Sequence, residues 1–335
     1  METLLLFGNV SQPPYCNNLF PPVRAFQRVF RTVVIEPQSY ADFVPTGGAK
    51  PALIPEDAVS EHTDPPPDVI VCLGGALHFS KRALRSFSRL TALAGFALSD
   101  PYGLGASLRI APAFDLFYTQ DPQTLADYAS LDIRAKRCDP ATDPELYRPI
   151  RSAGSEAPDC DVLYYGKWTP YRDALISALA AKLKVRVHAY AGERRWSIPT
   201  RAPLDTPERL RAALNGARMT LETARLDDAV GKYKDAFRIT PRAFFAASCG
   251  VPSLIESFPG LDDFFQPGVE IAAFDSPDSL VAKARELAAD ELARATMGRR
   301  ARARALRDHT WDRRVEAFVL DLRRWRTEPQ PSRPR

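Results

Sequence analysis

Short runs of apolar and β-branched residues recur along the whole chain, separated by stretches with a helical period, and this alternation leaves few folds open. Strand, helix and strand in succession is the pattern of parallel sheets covered by helices on their faces. In the first half, strands are predicted at Thr3 to Phe7, Thr32 to Ile35, Asp68 to Leu73, Leu93 to Leu98, Phe114 to Thr119 and Ile133 to Arg137. Helices are predicted at Pro22 to Phe30, Ser80 to Leu90, Leu104 to Ile110 and Pro122 to Ala129. The pattern halts at Ile150 to Pro158, small and polar with no apolar period, which reads as a linker. It restarts with strands predicted at Asp161 to Tyr165, Lys184 to Tyr190, Arg218 to Leu221, Ser253 to Ile255 and Glu270 to Phe274. A chain of 335 residues can bury two cores. The expectation is an α/β protein of two facing, doubly wound, Rossmann-like domains with a central cleft: residues 1–150 on the acceptor side and 151–310 on the ligand side. A helix at 311–326 should pack back toward the first domain, with a disordered tail at 327–335. Such sheets bind ligands at the carboxyl ends of their strands, so the cleft is the expected site.

The bulk composition narrows the classes further. The opening Met1-Glu2-Thr3-Leu4-Leu5-Leu6-Phe7-Gly8 lacks a basic start and its apolar run is too short for a signal peptide, and the apolar stretch around Leu90 to Leu98 is too short for a membrane span. A cytoplasmic location is expected. The five cysteines are scattered without CxxC spacing, so reduced, partly buried thiols are expected, with no disulfide framework and no zinc site. A net charge of +4 suits an anionic small ligand without demanding nucleic acid. Gln38 to Pro67, rich in proline, glycine and acids, reads as a mobile acceptor-side loop or a partly disordered excursion.

Four helices of the second half begin alike, with a capping hydroxyl followed by proline at the first helical position: Thr169-Pro170, Thr206-Pro207, Thr240-Pro241 and Ser276-Pro277. The first of them comes directly after the strand Asp161 to Tyr165, in Gly166-Lys167-Trp168-Thr169-Pro170-Tyr171-Arg172. Glycine, two cations and a helix N-terminus with unpaired N–H groups converge there as an anion site, or else as a surface loop with solvated cations. Tyr233-Lys234-Asp235-Ala236-Phe237-Arg238-Ile239-Thr240-Pro241-Arg242 adds three cations and a second capped start, suiting the same diphosphate from the other side. The next helix, Arg242 to Gly250, is apolar and rich in small residues, which fits either core packing or close approach to a base and ribose.

The stretch Arg242 to Gly250, with Val251-Pro252-Ser253-Leu254-Ile255, Pro259 to Glu270 and Ser276-Pro277-Asp278-Ser279-Leu280, resembles the C-terminal domain of CgeB-like glycosyltransferases, themselves similar to the retaining nucleotide-sugar transferases. The resemblance extends to Arg307-Asp308-His309-Thr310-Trp311-Asp312 and, in the first half, to Ser99-Asp100-Pro101-Tyr102 and Asp143-Pro144-Glu145-Leu146-Tyr147. It implies the GT-B fold and transfer of a sugar from a nucleoside-diphosphate-sugar donor, without a metal or other cofactor. The acceptor is left open among small molecules, glycans, proteins and nucleic acid. In that group Gly-Arg-Leu, three residues and Lys-Gly give two cations to the donor diphosphate, matched here by Gly166-Lys167-Trp168 and Arg172-Asp173. The resemblance makes Gly166, Lys167, Arg172, Tyr233, Arg238, Thr240, Arg242 and Phe245 the donor-binding candidates. One departure is explicit: the relatives carry a glutamate pair, the second member of which binds ribose hydroxyls, where this chain has Phe237 and Phe245, with Asp235 and Glu256 out of register.

A base for an inverting reaction should come from the first half, where Asp100 and His78 are the candidates, whereas a retaining reaction needs none. Each has a plainer reading, Asp100 as the start of an Asp-Pro turn and His78 as a loop or cap residue. Gly8 and Asn9 after the first strand, with Gly74 and Gly75 after the third, form the predicted acceptor-side loops. Asp159-Cys160-Asp161 has the spacing of a metal-binding motif but precedes a strand instead of ending one. No P-loop, GxSxG elbow or HExxH helix is present. The run Arg299 to Arg307 could track a nucleic-acid backbone or form the solvated face of a helix. Two further classes stay open: a catalytically silent GT-B module that binds a nucleotide or polymer, and a nucleotide-sugar epimerase or hydrolase.

Overall fold

The computed structural model describes residues 2–7, 16–35, 67–74, 91–101, 103–150, 158–189, 195–223 and 239–328. The predicted helix at Ser80 to Leu90 and most of the segment Gln38 to Pro67 lie outside them. Of the described residues, one compact unit takes those within Met1–Tyr15, Pro22–Asp139 and Trp311–Arg335, the other those within Cys16–Pro21 and Pro140–Thr310.

The first unit is built on β1 (Thr3–Phe7), β2 (Arg31–Ile35), β3 (Val69–Leu73), β4 (Ala92–Ala97), β5 (Leu116–Thr119) and β6 (Ala135–Arg137), with α1 (Cys16–Val29) from Pro22 onward, α2 (Leu104–Ile110) and α3 (Leu125–Ala129). All pairings are parallel, in the order β2-β1-β3-β4-β5-β6. β3 and β4 are buried at every residue, which is why Val-Ile-Val-Cys-Leu reads as a continuous apolar run and not as an alternation. The order reverses between β1 and β3, so the carboxyl ends at Phe7 and Leu73 flank the topological switch point. The terminal helix, α9 (Trp311–Thr327), belongs to this unit. Phe318 on it is buried among Phe26, Phe96 and Tyr118, with ring centroids 5.4, 5.9 and 6.1 Å away. Asp321 one turn on accepts from the Tyr118 hydroxyl at 2.9 Å and pairs with Lys136.

The second unit carries β7 (Cys160–Tyr165), β8 (Val185–His188), β9 (Thr200–Arg201), β10 (Ala217–Glu222), β11 (Ser253–Glu256) and β12 (Ala272–Phe274). Its helices are α4 (Pro170–Ala180), α5 (Pro207–Asn215), α6 (Pro241–Ser248), α7 (Pro277–Ala289) and α8 (Glu291–Asp308). The order β12-β11-β10-β7-β8-β9, parallel throughout, is the doubly wound arrangement with its switch point between β7 and β10. All four predicted caps form: Thr169, Thr206, Thr240 and Ser276 accept from the backbone N–H of Arg172, Arg209, Arg242 and Ser279, each with proline at the first helical position.

Pro140–Ile150 groups with the second unit, earlier than the predicted boundary. The reason is Tyr147, fully buried and stacked on Phe245 at 4.1 Å, with its carbonyl accepting from the Ser248 hydroxyl at 2.5 Å. α8 spends much of its arginine face on protein oxygens: Arg302 donates to the Ser248 carbonyl, Arg304 to the Asp263 carbonyl, and Arg307 pairs with Asp308. Cys72, Cys138, Cys160 and Cys249 are buried free thiols, burial pushing Cys160 up to about 11 and Cys249 up to about 12. Among the described residues no helix is long and apolar enough to cross a membrane.

Candidate functional site

The carboxyl edge of the second sheet brings together the segments that leave β7, β10 and β11. Gly166 leaves β7 with φ +149°, and a Cβ there would lie 2.6 Å from Arg242 Nη1 and 3.0 Å from the Tyr164 hydroxyl, so both backbone and space demand glycine. Lys167 is exposed. Its carbonyl accepts from Arg172 Nη1 at 3.1 Å, closing the turn into α4. Thr169 takes the Arg172 N–H and Pro170 has none to give, so the end of α4 offers its dipole and few backbone donors. The hydrogen-bonding capacity expected of the backbone is carried instead by a side chain.

That side chain is Arg172, which is 1% exposed. Its Nε donates to Thr223 Oγ1 at 3.1 Å, beyond the end of β10, and Nη1 to the Lys167 carbonyl, while Nη2 is buried with no partner. A buried guanidinium N–H left unmatched costs on the order of 1–3 kcal/mol or more, and in native proteins such a group marks a place for a ligand, an ion or water. The switch point of a doubly wound sheet is where that ligand is expected.

Arg242, predicted as a third cation of the site, has a different partner. Its Nε and Nη2 donate to the two oxygens of Glu222 at 2.9 and 3.0 Å, and Nη1 to the Tyr165 carbonyl at 3.0 Å. Its positive charge is held by the nearly buried Glu222, which closes β10 one residue past the strand predicted at Arg218 to Leu221 and has no other signal in the sequence. Arg242 thus ties α6 to the ends of β10 and β7, with the rings of Tyr164 and Tyr165 against it. Thr240 is engaged as the cap of α6. Phe245, expected in the pocket, is 1% exposed and stacked on Tyr147 inside the core, because α6 turns that position toward the sheet. Glu256, at the end of β11 and also out of the family register, is partly exposed and accepts from the Tyr171 hydroxyl at 2.5 Å. Tyr233 and Arg238 lie outside the described residues.

At the other end of the sheet, Asp159 pairs with Arg186 at 2.9 Å and Asp161 with Arg218 at 3.1 Å. These carboxylates lie at the start of β7, away from the carboxyl edge.

In the first unit, Asp100 has no exposed surface and its carboxylate accepts from the hydroxyls of Ser107, Thr119 and Tyr128 at 3.1, 3.0 and 2.6 Å. It ties the end of β4 to α2, β5 and α3, an enclosed position that does not fit a base needing to meet an acceptor hydroxyl. Gly74 comes after β3 at φ +62°, with nothing within 4 Å of the point a Cβ would occupy, so its backbone and not crowding calls for glycine. Gly8, Asn9, Gly75 and His78 lie outside the described residues.

Comparison with known proteins adds the family context. Residues 172–319 match a family model described as glycosyl transferase-like. No curated protein matches the chain by sequence. Among solved structures, sucrose-phosphate synthase from Thermosynechococcus elongatus superposes with TM-score 0.63 at 13% identity, over 97% of this chain and 99% of that one. Anabaena HepE in complex with UDP and glucose gives 0.62 at 13% identity, over 96% and 100%. AviGT4, a glycosyltransferase involved in avilamycin A biosynthesis, gives 0.62 at 15% identity, over 98% and 99%. At these identities the superpositions speak for the fold, and the matched family speaks for the second unit. Residues 172–319 thus resemble the glycosyl transferase-like family, and the chain has the GT-B fold of the superposed structures.

Proposed function

We propose that the chain moves a sugar from a nucleoside-diphosphate-sugar donor to an acceptor hydroxyl, with the donor diphosphate bound at the carboxyl edge of the second sheet. The observation that carries this reading is Arg172 Nη2, a buried and unpartnered cationic donor at the N-terminus of α4. Phosphate oxygens are the acceptors that such a group suits best, since charge-assisted bonds to guanidinium are the strong ones. Lys167 adds a second charge from the turn, Gly166 allows the chain to pass close by, and the α4 dipole favours the same sign. Arg242 shapes the wall by holding Glu222 and contributes no free charge of its own. In this reading the leaving diphosphate is neutralised by side chains, without a metal ion. The likeness to CgeB-like transferases in Arg242 to Glu270 supports a place near them within the fold, and a cytoplasmic setting fits a nucleotide-sugar donor.

HepE holds UDP in its structure, so UDP is the first nucleotide to test. Thermal shifts with ADP, GDP, UDP and dTDP should single out one of them, a ligand at a hundred times its dissociation constant stabilising the fold by about 2.7 kcal/mol. No shift with any would leave a silent module in place of an enzyme. With a binding nucleotide identified, release of that diphosphate from its glucose or N-acetylglucosamine conjugate, with and without added acceptors, separates transfer from hydrolysis.

A further inference from the structure

The buried hydroxyls on and just past β10 are bonded in two ways. Those of Thr220 and Ser253, paired across β10 and β11, bond to each other at 2.9 Å, so each has a partner inside the sheet. Thr223, one residue past the end of β10 and 3% exposed, differs from them. Its Oγ1 lies 3.1 Å from Arg172 Nε. A guanidinium nitrogen has only protons to give, so the threonine oxygen must accept, and its own proton is turned away from that bond. No described residue accepts this proton.

Thr223 thus has the same unmet need as Arg172 Nη2, which is buried without an acceptor. The two lie close together, because Nη2 and Nε are bonded to one guanidinium carbon and Nε is the atom that meets Thr223. Both are donors. An apolar group would leave both unmet, whereas several oxygens on one centre, all of them accepting, meet the two at once. An ionised phosphoryl group has that form. Glu222, the carboxylate next along the chain, is turned elsewhere, since Arg242 donates to its two oxygens at 2.9 and 3.0 Å. We propose that Thr223 is a second contact to the donor, its hydroxyl bonding an oxygen of the phosphoryl group that meets Arg172 Nη2. This assignment rests on the donor site proposed above. The threonine accepts from the guanidinium and donates to the phosphate, so Arg172 fixes the direction in which a neutral donor faces the ligand.

Calorimetric titration with inorganic pyrophosphate, and with the tightest binder among ADP, GDP, UDP and dTDP, tests this in wild type and in variants at both positions. Thr223→Val keeps the shape and removes the hydroxyl; it should weaken both ligands about tenfold or more, the scale of a hydrogen bond to a charged acceptor. Thr223→Ser keeps the hydroxyl and should bind as wild type does. Thr223→Ala takes the place of the valine variant should that fail to fold. A double-mutant cycle with Arg172→Ala separates a ligand contact from a support for the guanidinium, with phosphorus NMR reading affinities too weak for calorimetry. As a contact, Thr223→Val lowers affinity further in the Arg172→Ala background, for pyrophosphate and nucleotide alike. As a support, it changes nothing once the guanidinium is gone. Undiminished affinity in Thr223→Val, or an Arg172→Ala protein indifferent to the threonine, would overturn the proposal and leave the donor site at Arg172 standing. Failure of wild type to bind pyrophosphate or any of the nucleotides would remove that donor site, and the role of Thr223 with it.

Discussion

Arg172 and Phe245 both stand in the sequence as candidate ligand contacts, and the structure separates them by burial and partnership. Arg172 is enclosed, yet one of its nitrogens has no partner. Phe245 is enclosed and fully engaged with Tyr147. Arg172→Ala should weaken binding of the cognate nucleoside diphosphate by about 1.5–3 kcal/mol, the scale of a hydrogen bond to a charged group. Lys167→Ala, at an exposed side chain, should cost less. Equal affinity in wild type and Arg172→Ala by calorimetry would place the diphosphate elsewhere. For position 245, restoring the glutamate that related transferases carry should not improve donor binding. Phe245→Glu would bury a carboxylate against the Tyr147 ring with no cation assigned to it, and should destabilise the fold by several kcal/mol in urea titration. The sequence could not show this, because an apolar residue on a helix reads the same whether it faces a sheet or a ligand. Glu222 and Glu256 are illegible there for the converse reason: a carboxylate closing a strand looks like a solvated end until the neighbouring helices are in place.

Among the elements, those written by two independent signals are the legible ones. The four capped helices combine a hydroxyl, a proline and an apolar period, and all of them start where expected. The buried parallel strands β3 and β4 show as continuous apolar runs, and β7 as the run Val162 to Tyr165. β9, only Thr200–Arg201 and exposed, has no such run to reveal it, and the strand predicted to Tyr190 stops at His188. Likewise the helix predicted from Pro122 opens as a 3-10 turn through Thr124, where the Asp121 carboxylate caps the chain, before α3 begins. The cap of α4 has a consequence that distinguishes it from the others. Thr169→Ala should cost about 1 kcal/mol of stability, within the range for lost N-caps, and should also weaken nucleotide binding, since the N–H it holds belongs to Arg172. Thr206→Ala removes an equivalent cap from α5, where the N–H it holds belongs to Arg209 and not to a residue of the proposed site. It should cost similar stability and leave nucleotide affinity unchanged. Melting curves with and without nucleotide check both, and loss of binding in the α5 variant would show that the effect is general softening.

For the molecule as a whole, the alternation of strand and helix predicts two parallel sheets, but the allocation of chain to units depends on contacts distant in sequence. Tyr147 carries Pro140–Ile150 into the second unit because its ring and carbonyl are used by α6, although the polar run that looks like a linker comes later. The last helix is allocated by the same kind of contact. Phe318 completes an aromatic cluster of Phe26, Phe30, Phe96 and Tyr118, so α9 shares one core with α1, β4 and β5 although it lies far from them along the chain. Removing that ring takes from the cluster a side chain that is 1% exposed, and the loss should be about 3–5 kcal/mol, the usual cost of truncating a buried phenylalanine. The effect should be local. In Phe318→Ala, amide hydrogen exchange should accelerate in β3, β4 and β5 of the first unit, while β7, β10 and β11 keep their protection and the affinity for pyrophosphate stays as in wild type. Exchange that quickens instead in the second sheet would mean that α9 is an integral part of the donor-binding unit, and the division of the chain at Thr310 would have to be redrawn.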